Sequence, residues 1–193
     1  MAQLQKDTDR LNLAPKKFAL WIFLFTSFML FMALTSGFIV YSGAGKGHEL
    51  SIKLPQAFMY NTIVIVLSSL TMFAATHATK RLQFERQRLF LIATIGLGIL
   101  FFALQIYAWS TLIAMRAYLI NPNASISFVY IMTGIHLLHI LAGLLLLLNS
   151  LRKSYKNTPQ VIKLYNMDMS SIFWHFVDIV WIYLYVFLLL NQR

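Results

Sequence analysis

Two pairs of ionisable side chains lie inside apolar segments of this sequence, where they could perform acid–base or ligand chemistry. His175 and Asp178 lie within the apolar stretch SSIFWHFVDIVWIYLYVFLLL, and His136 and His139 lie within an earlier one. The members of each pair are three positions apart and therefore share a helix face. Because an aspartate at the centre of a membrane helix costs about 2.5–3.5 kcal/mol on insertion scales, these residues need a partner or a function.

Three kinds of chemistry fit this pattern of residues. The first is an interhelical polar network that fixes helix packing, since intramembrane polar groups usually pair with protein. The second is axial ligation of haem or copper by His136 or His139 together with His175, which requires side chains from opposite helices to meet at one metal. The third is a proton or ion pathway, although a single buried carboxylate makes a poor relay. We expect the packing network.

The depth of each residue in the membrane predicts a partner for Asp178. Counted at about 1.5 Å per residue from the middle of each span, His139 and Asp178 lie at the same level. Because the connection between their helices is short, we expect these helices to be neighbours. We therefore predict that Asp178 pairs with His139, with His175 on its own helix as the alternative partner.

Four further residues are predicted to take part in packing or lipid contact. Trp174 and Trp181 bracket the polar pair and are expected to pack against protein, while Gln105 is a strongly polar residue inside an apolar segment. Asp168 is expected near the inner membrane surface, as a head-group or interhelical contact. Small residues that allow helices to approach closely are Gly96, Gly98, Gly134, Ala142 and Gly143.

The elements that must position these side chains are membrane-spanning helices. The chain has 193 residues, of which 59% are hydrophobic and 11% charged, a composition that indicates an all-α polytopic membrane protein. We predict a polar leader at 1–17 and one five-helix membrane domain at 18–193. The predicted spans, each near the twenty or so residues that a bilayer core requires, are 18–40, 57–77, 89–112, 127–148 and 169–190. The absence of cysteine excludes disulfides, thiolate metal sites and cysteine nucleophiles.

The net charge of +10 is explained by membrane topology and does not indicate nucleic-acid binding. Twelve of the 16 Lys and Arg residues lie in the leader or in the connections after the second and fourth spans. The other side of the membrane has Lys46, Lys53, Arg116 and Arg193. By the positive-inside rule, the N-terminus is cytoplasmic and the C-terminus is periplasmic.

The last two predicted spans resemble those of haem-copper oxidase subunit III. FWHFVDIVWIYLYV is similar to the family's Trp-His-Phe-Val/Leu-Asp-Val-Val-Trp run, and TGIHLLHILAG is similar to its paired-histidine motif. The beginning of the second predicted span, KLPQAFMYNTIVIVLSS, resembles the family's Leu-Pro turn and the helix that follows it. Gln105 and Tyr107, in the third predicted span, resemble a stretch of the family's next helix. The resemblance covers nearly the whole chain, and short bacterial members of the family also have five helices.

This resemblance implies a non-catalytic subunit of a bacterial respiratory oxidase in the cytoplasmic membrane. The chain itself is then expected to hold no cofactor, with haem and copper in partner subunits and phospholipid bound to this one. The implied partners are oxidase subunit I, by direct contact, and the other oxidase subunits, with a respiratory supercomplex as a further candidate. Alternatives are a nitric oxide reductase accessory subunit of the same family, a b-type haem membrane anchor and a small proton-coupled carrier.

The chain departs from the family at several acidic positions. In the first predicted span it has Thr26 and Ser27 where members commonly have a carboxylate, and in the third it has Ala108 where they have a glutamate. Among the acids of the compared motifs, Asp168 and Asp178 remain. The expected role therefore rests on packing and on the terminal motif rather than on those carboxylates.

Overall fold

The computed structural model describes residues 13–45, 50, 55–120, 122–155 and 159–192. Five helices account for nearly all of these residues: α1 (Leu13–Ser42), α2 (Ala57–Lys80), α3 (Phe84–Ala114), α4 (Ala124–Tyr155) and α5 (Gln160–Asn191). All five are long and apolar enough to cross a membrane, which confirms the predicted all-α fold with five spans. Most of the predicted leader, residues 1–12, lies outside the described part.

The prolines explain where four of the helices begin. A proline in the first turn, or just before it, removes no intrahelical hydrogen bond, and its fixed φ angle suits helix initiation. All four prolines of the sequence are found there, at Pro15, Pro55, Pro122 and Pro159. The helix α3 instead follows a tight turn in which Leu82 adopts a left-handed φ of 59°. Inside the helices, the backbone satisfies its own hydrogen bonds, as a bilayer requires.

Four of the helices form a closed bundle, and α1 packs on its outside. Around the bundle, α2 contacts α3, α3 contacts α4, α4 contacts α5, and α5 returns to α2. The helix α1 lies against α4 and α5. Its contacts include a 2.7 Å hydrogen bond between the hydroxyls of Thr35 and Tyr183, and edge-to-face packing of Phe38 on Phe128 and Phe187. The helix α5 therefore closes the ring and, together with α4, joins α1 to the bundle.

Candidate functional site

The inner face of α5 carries two buried tryptophans that bond to α2. Trp174 and Trp181 are each only 1% exposed. The indole N–H of Trp174 donates to Ser68 Oγ at 3.0 Å, and that of Trp181 donates to Thr62 Oγ1 at 3.2 Å. The two helices run antiparallel, so the later tryptophan meets the earlier hydroxyl. Both indoles thus bury their apolar rings and satisfy their donors within the protein.

Two glycines create the space that the Trp174 ring occupies. A Cβ atom at Gly98 would lie 2.8 Å from the Trp174 ring and 2.8 Å from Leu144. A Cβ atom at Gly143 would lie 2.9 Å from the same ring. Such distances are far below van der Waals contact, so an alanine at either position would force the Trp174 ring or its neighbours to shift. These small residues accommodate a side chain of α5 between the helices.

His136 lies in an aromatic enclosure at the centre of the bundle. It is fully buried, and its ring centroid is 5.0 Å from Trp181, 5.9 Å from Phe101 and 6.3 Å from Phe31. Neither ring nitrogen forms a hydrogen bond within the described part of the chain. The imidazole therefore acts as part of the aromatic core.

His139 faces α1, and the predicted pair between His139 and Asp178 is wrong. Its Nε2 atom lies 3.2 Å from Ser27 Oγ, and its Nδ1 atom lies 2.8 Å from the carbonyl oxygen of Ile135. The predicted pair does not form because of the orientation of α4 about its own axis. This helix contacts both α1 and α5, and the His139 side chain points towards α1. Depth matching fixes the level of a residue along the helix but not the direction in which its side chain points.

His175 and Asp178 lie together on the side of α5 that faces α2. The shortest distance between them is 3.8 Å, from His175 Nδ1 to Asp178 Oδ2, and the same Nδ1 atom is 2.9 Å from Ser69 Oγ. The His175 side chain is 32% exposed, whereas that of Asp178 is 4% exposed. Neither carboxyl oxygen accepts a hydrogen bond from a residue that the structure describes. His175, the alternative partner predicted for Asp178, is thus its ion-pair neighbour, but within the described ranges the buried carboxyl group accepts no hydrogen bond.

The four residues predicted as one polar network are thus divided among three surroundings. His136 lies in the aromatic core, His139 binds to α1, and only His175 and Asp178 are close to each other. The missed partners are the α2 hydroxyls and Ser27. The spacing of the tryptophans, seven residues apart, could have indicated acceptors at a similar spacing on a neighbouring helix.

The two remaining predicted residues lie in different environments. Gln105 is fully buried, and its Oε1 atom accepts a 2.7 Å hydrogen bond from Asn61 Nδ2, which links α3 to α2. Asp168 is partly exposed near the beginning of α5. Gln105 therefore helps to hold two helices together, as the hydroxyls of Thr71 and Thr94 do at 2.8 Å on the same pair of helices.

This arrangement favours packing over ligand chemistry. Within the described ranges, no group of three or more His, Cys, Asp or Glu side chains is placed to hold a metal ion. Axial haem ligation by His136 or His139 with His175 is not favoured, because rings enclose His136 and both nitrogens of His139 already have partners. Gln105, His139, Trp174 and Trp181 instead form hydrogen bonds to neighbouring helices.

Known proteins of one family resemble this chain over nearly its whole length. Residues 13–191 match the family of cytochrome c oxidase subunit III. Cytochrome c oxidase subunit 3 of Bacillus sp. (strain PS3) is 28% identical over 171 residues, covering 86% of this chain and 80% of the relative. Cytochrome bo(3) ubiquinol oxidase subunit 3 of Buchnera aphidicola subsp. Schizaphis graminum (strain Sg) is 28% identical over 192 residues, covering 96% and 97%.

A third relative of this kind is quinol oxidase subunit 3 of Bacillus subtilis (strain 168). It is 28% identical over 187 residues, covering 95% of this chain and 88% of the relative. These names agree with the oxidase interpretation and do not favour a nitric oxide reductase accessory subunit. With five membrane-spanning helices and a family match over almost its whole length, the chain belongs to the cytochrome c oxidase subunit III family.

Proposed function

We propose that this chain is the non-catalytic subunit III of a bacterial haem-copper oxidase, which reduces oxygen to water and pumps protons in aerobic respiration. The observation that carries the proposal is the family match over residues 13–191. The geometry supports it, because the strongest motif of the chain, around Trp174 and Trp181, serves interhelical packing. Haem and copper belong to the partner subunits, and subunit I is the direct partner.

In this proposal the subunit lies in the bacterial cytoplasmic membrane with its N-terminus inside. The support is a group of cations at one end of the bundle, where α3 begins, α4 ends and α5 begins. Arg88 donates to the Ser154 carbonyl at 2.8 Å and lies over the Tyr155 ring, and Lys153 donates to Asn166 at 3.0 Å. By the positive-inside rule this end is cytoplasmic.

The same basic end is the proposed site of phospholipid contact. Anionic head groups are attracted by about 1 kcal/mol for each Lys or Arg near the membrane surface. Lys163 adds to the group, since its ammonium lies 5.0 Å from the Phe84 ring, and Asp168 is further along α5. Bound lipid at this end would support the stability and sustained activity of subunit I.

The proposal is tested by purifying a tagged form of this chain from its native membrane. We expect the co-purifying proteins to include an oxidase subunit I, with a haem-copper spectrum in the complex. The chain separated from its partners should show no haem absorption. Co-purification with a complex of haem b and non-haem iron would overturn the proposal in favour of the nitric oxide reductase accessory role.

Two further outcomes would contradict the proposal and give the chain a different role. A Soret band that stays with the separated chain would indicate a b-type haem anchor. Proton-coupled transport by the chain alone in liposomes, lost in Asp178→Asn, would indicate a carrier.

A further inference from the structure

A groove runs along the outside of the bundle between α2 and α5. It has a volume of about 330 Å³ and an open side. Apolar side chains form its two edges, with Val66 and Leu70 on α2 and Ile182 on α5, and these side chains are 42%, 62% and 40% exposed. The space admits side chains of an adjacent helix rather than a whole helix. The groove therefore has the form of a helix-packing surface without its partner.

The floor of this groove is polar. Ser69, His175 and Asp178 all line it, and they lie close to the middle of their helices. Asp178 is the most buried of the three, and neither of its oxygens accepts a hydrogen bond from any residue the structure describes. The Ser69 hydroxyl lies beside the carboxyl group but is paired with His175 Nδ1, 2.9 Å away, in a hydrogen bond whose donor depends on the imidazole tautomer. A buried acceptor without a donor is costly, and more so at mid-membrane, where water is not available to supply one.

The chemistry of this floor identifies the kind of occupant. A lipid acyl chain could cover the apolar edges, but it carries no donor for the carboxyl group. Membrane helices do carry such donors, and polar side chains buried between helices usually bond across the interface. A second groove of about 370 Å³, between α1 and α5, lies on the other side of His175, and its other lining residues are hydrophobic. Of these two grooves, the one between α2 and α5 contains the unpaired acceptor.

We propose that the groove between α2 and α5 receives a transmembrane helix of another oxidase subunit, and that a hydrogen-bond-donating side chain of this helix contacts Asp178. The inference rests on the proposed function and adds to it the surface by which the subunit docks. The neighbouring helix covers Val66, Leu70 and Ile182 while its donor reaches the floor. His175, held by Ser69, borders the same contact.

The test is site-specific photo-crosslinking in native membranes that contain the whole complex. A photoreactive amino acid replaces Val66 or Ile182, which lie at the edges of the groove. The matched control positions are Ile99 on α3 and Leu145 on α4, which are 58% and 61% exposed and lie on other helices. After illumination, mass spectrometry identifies what each position has captured.

We expect Val66 and Ile182 to capture one identified oxidase subunit, and this yield to fall roughly 5- to 30-fold when Asp178→Leu is added. Asp178→Asn keeps an acceptor oxygen and should retain the cross-link, and equal amounts of the two variants in the membrane exclude a fold defect in the leucine variant. Capture of lipid alone, of a second copy of this chain, or of nothing at the groove would overturn the proposal. An unchanged yield in Asp178→Leu would also overturn the contact with Asp178.

Co-purification separates failure of this inference from failure of the proposed function. If oxidase subunits co-purify with the tagged chain but cross-link only from Ile99 or Leu145, the function stands and the docking surface is wrong. If no oxidase subunit co-purifies, the proposed function fails, and the docking surface fails with it.

Discussion

The two faces of α5 use polar residues in opposite ways. On the inner face, the indole donors of Trp174 and Trp181 meet hydroxyl acceptors within the chain, and the rings fill space left by glycines. Towards the groove with α2, at the edge of this face, His175 is partly exposed and Ile179 is 66% exposed. The buried carboxyl group of Asp178, about one turn from each tryptophan, lines this groove and has no donor in the described chain.

We therefore expect the two faces of this helix to have different roles, the inner face in the folding of the subunit and the outer face in its assembly with other subunits. The inner face is complete without any other protein, so changes there should act on the stability of the subunit itself. If another subunit docks on the outer face as proposed, changes there should act on the association of the subunit with the oxidase. Four sets of variants test this division, and each has a result that would break it.

The largest loss is expected from Trp174→Ala. Removing a fully buried aromatic side chain costs about 3–5 kcal/mol, because it leaves a cavity between three helices. The variant should be depleted from the membrane, and any purified protein should have a clearly lower Tm in detergent. An unchanged Tm would show that packing on the inner face contributes little to the stability of the subunit.

A smaller loss is expected from Gly98→Ala, with Gly96→Ala as its matched control. The new methyl group at Gly98 would overlap the Trp174 ring, and overpacking of this kind costs about 1–3 kcal/mol. A Cβ atom at Gly96 would meet nothing within 4 Å, so that variant should unfold at or above the wild-type temperature. Thermal unfolding of both proteins in the same detergent gives the comparison, and equal Tm values would contradict the tight fit around Trp174.

Asp178→Leu should weaken assembly while leaving the separated subunit at least as stable as the wild type. The expected loss in association is about 1–2 kcal/mol, the range of a polar contact between membrane helices. Quantitative co-purification with subunit I measures it, and the haem spectrum of the complex that still forms should be unchanged. Normal assembly with lost proton pumping would contradict this prediction and favour a proton pathway.

The smallest effect is expected from Thr62→Val, which removes the acceptor of the Trp181 indole while preserving side-chain shape. Hydrogen bonds between membrane helices contribute about 0.6 kcal/mol on average, so the Tm should fall slightly. Thr26→Val is the control, since this exposed hydroxyl bonds to the Phe23 carbonyl of its own helix. A Tm loss as large as that of Trp174→Ala would mean that the hydrogen bond, rather than ring packing, supplies most of the stability contributed by the inner face.

The sequence predicts the helices of this fold better than it predicts their rotation. Hydropathy identified the five spans, although the helices extend beyond them; α4, for example, covers Ala124–Tyr155 where 127–148 was predicted. Hydropathy detects the apolar core of a bilayer, about 30 Å thick, whereas a helix continues into the head-group region until a turn or a proline ends it.

The candidate site could be predicted only in part for the same reason. Spacing placed His175 and Asp178 on one face of α5, and the structure has them 3.8 Å apart. The partner of His139 could not be found in this way, because residues three apart on α4 differ by about 60° in direction, enough to point at different helices. Ser27 and the hydroxyls of α2 are ordinary residues in the sequence, and only packing gives them their role.

The peripheral position of α1 has a consequence for the order in which the subunit is built. This helix precedes the other four described helices in the chain, yet its packing partners, α4 and α5, are the fourth and fifth of them. The hydrogen bond between Thr35 and Tyr183, which lies 148 residues later in the chain, can therefore form only after α5 has been made. The contacts that hold α1 in this fold therefore become available only after α4 and α5 have been made.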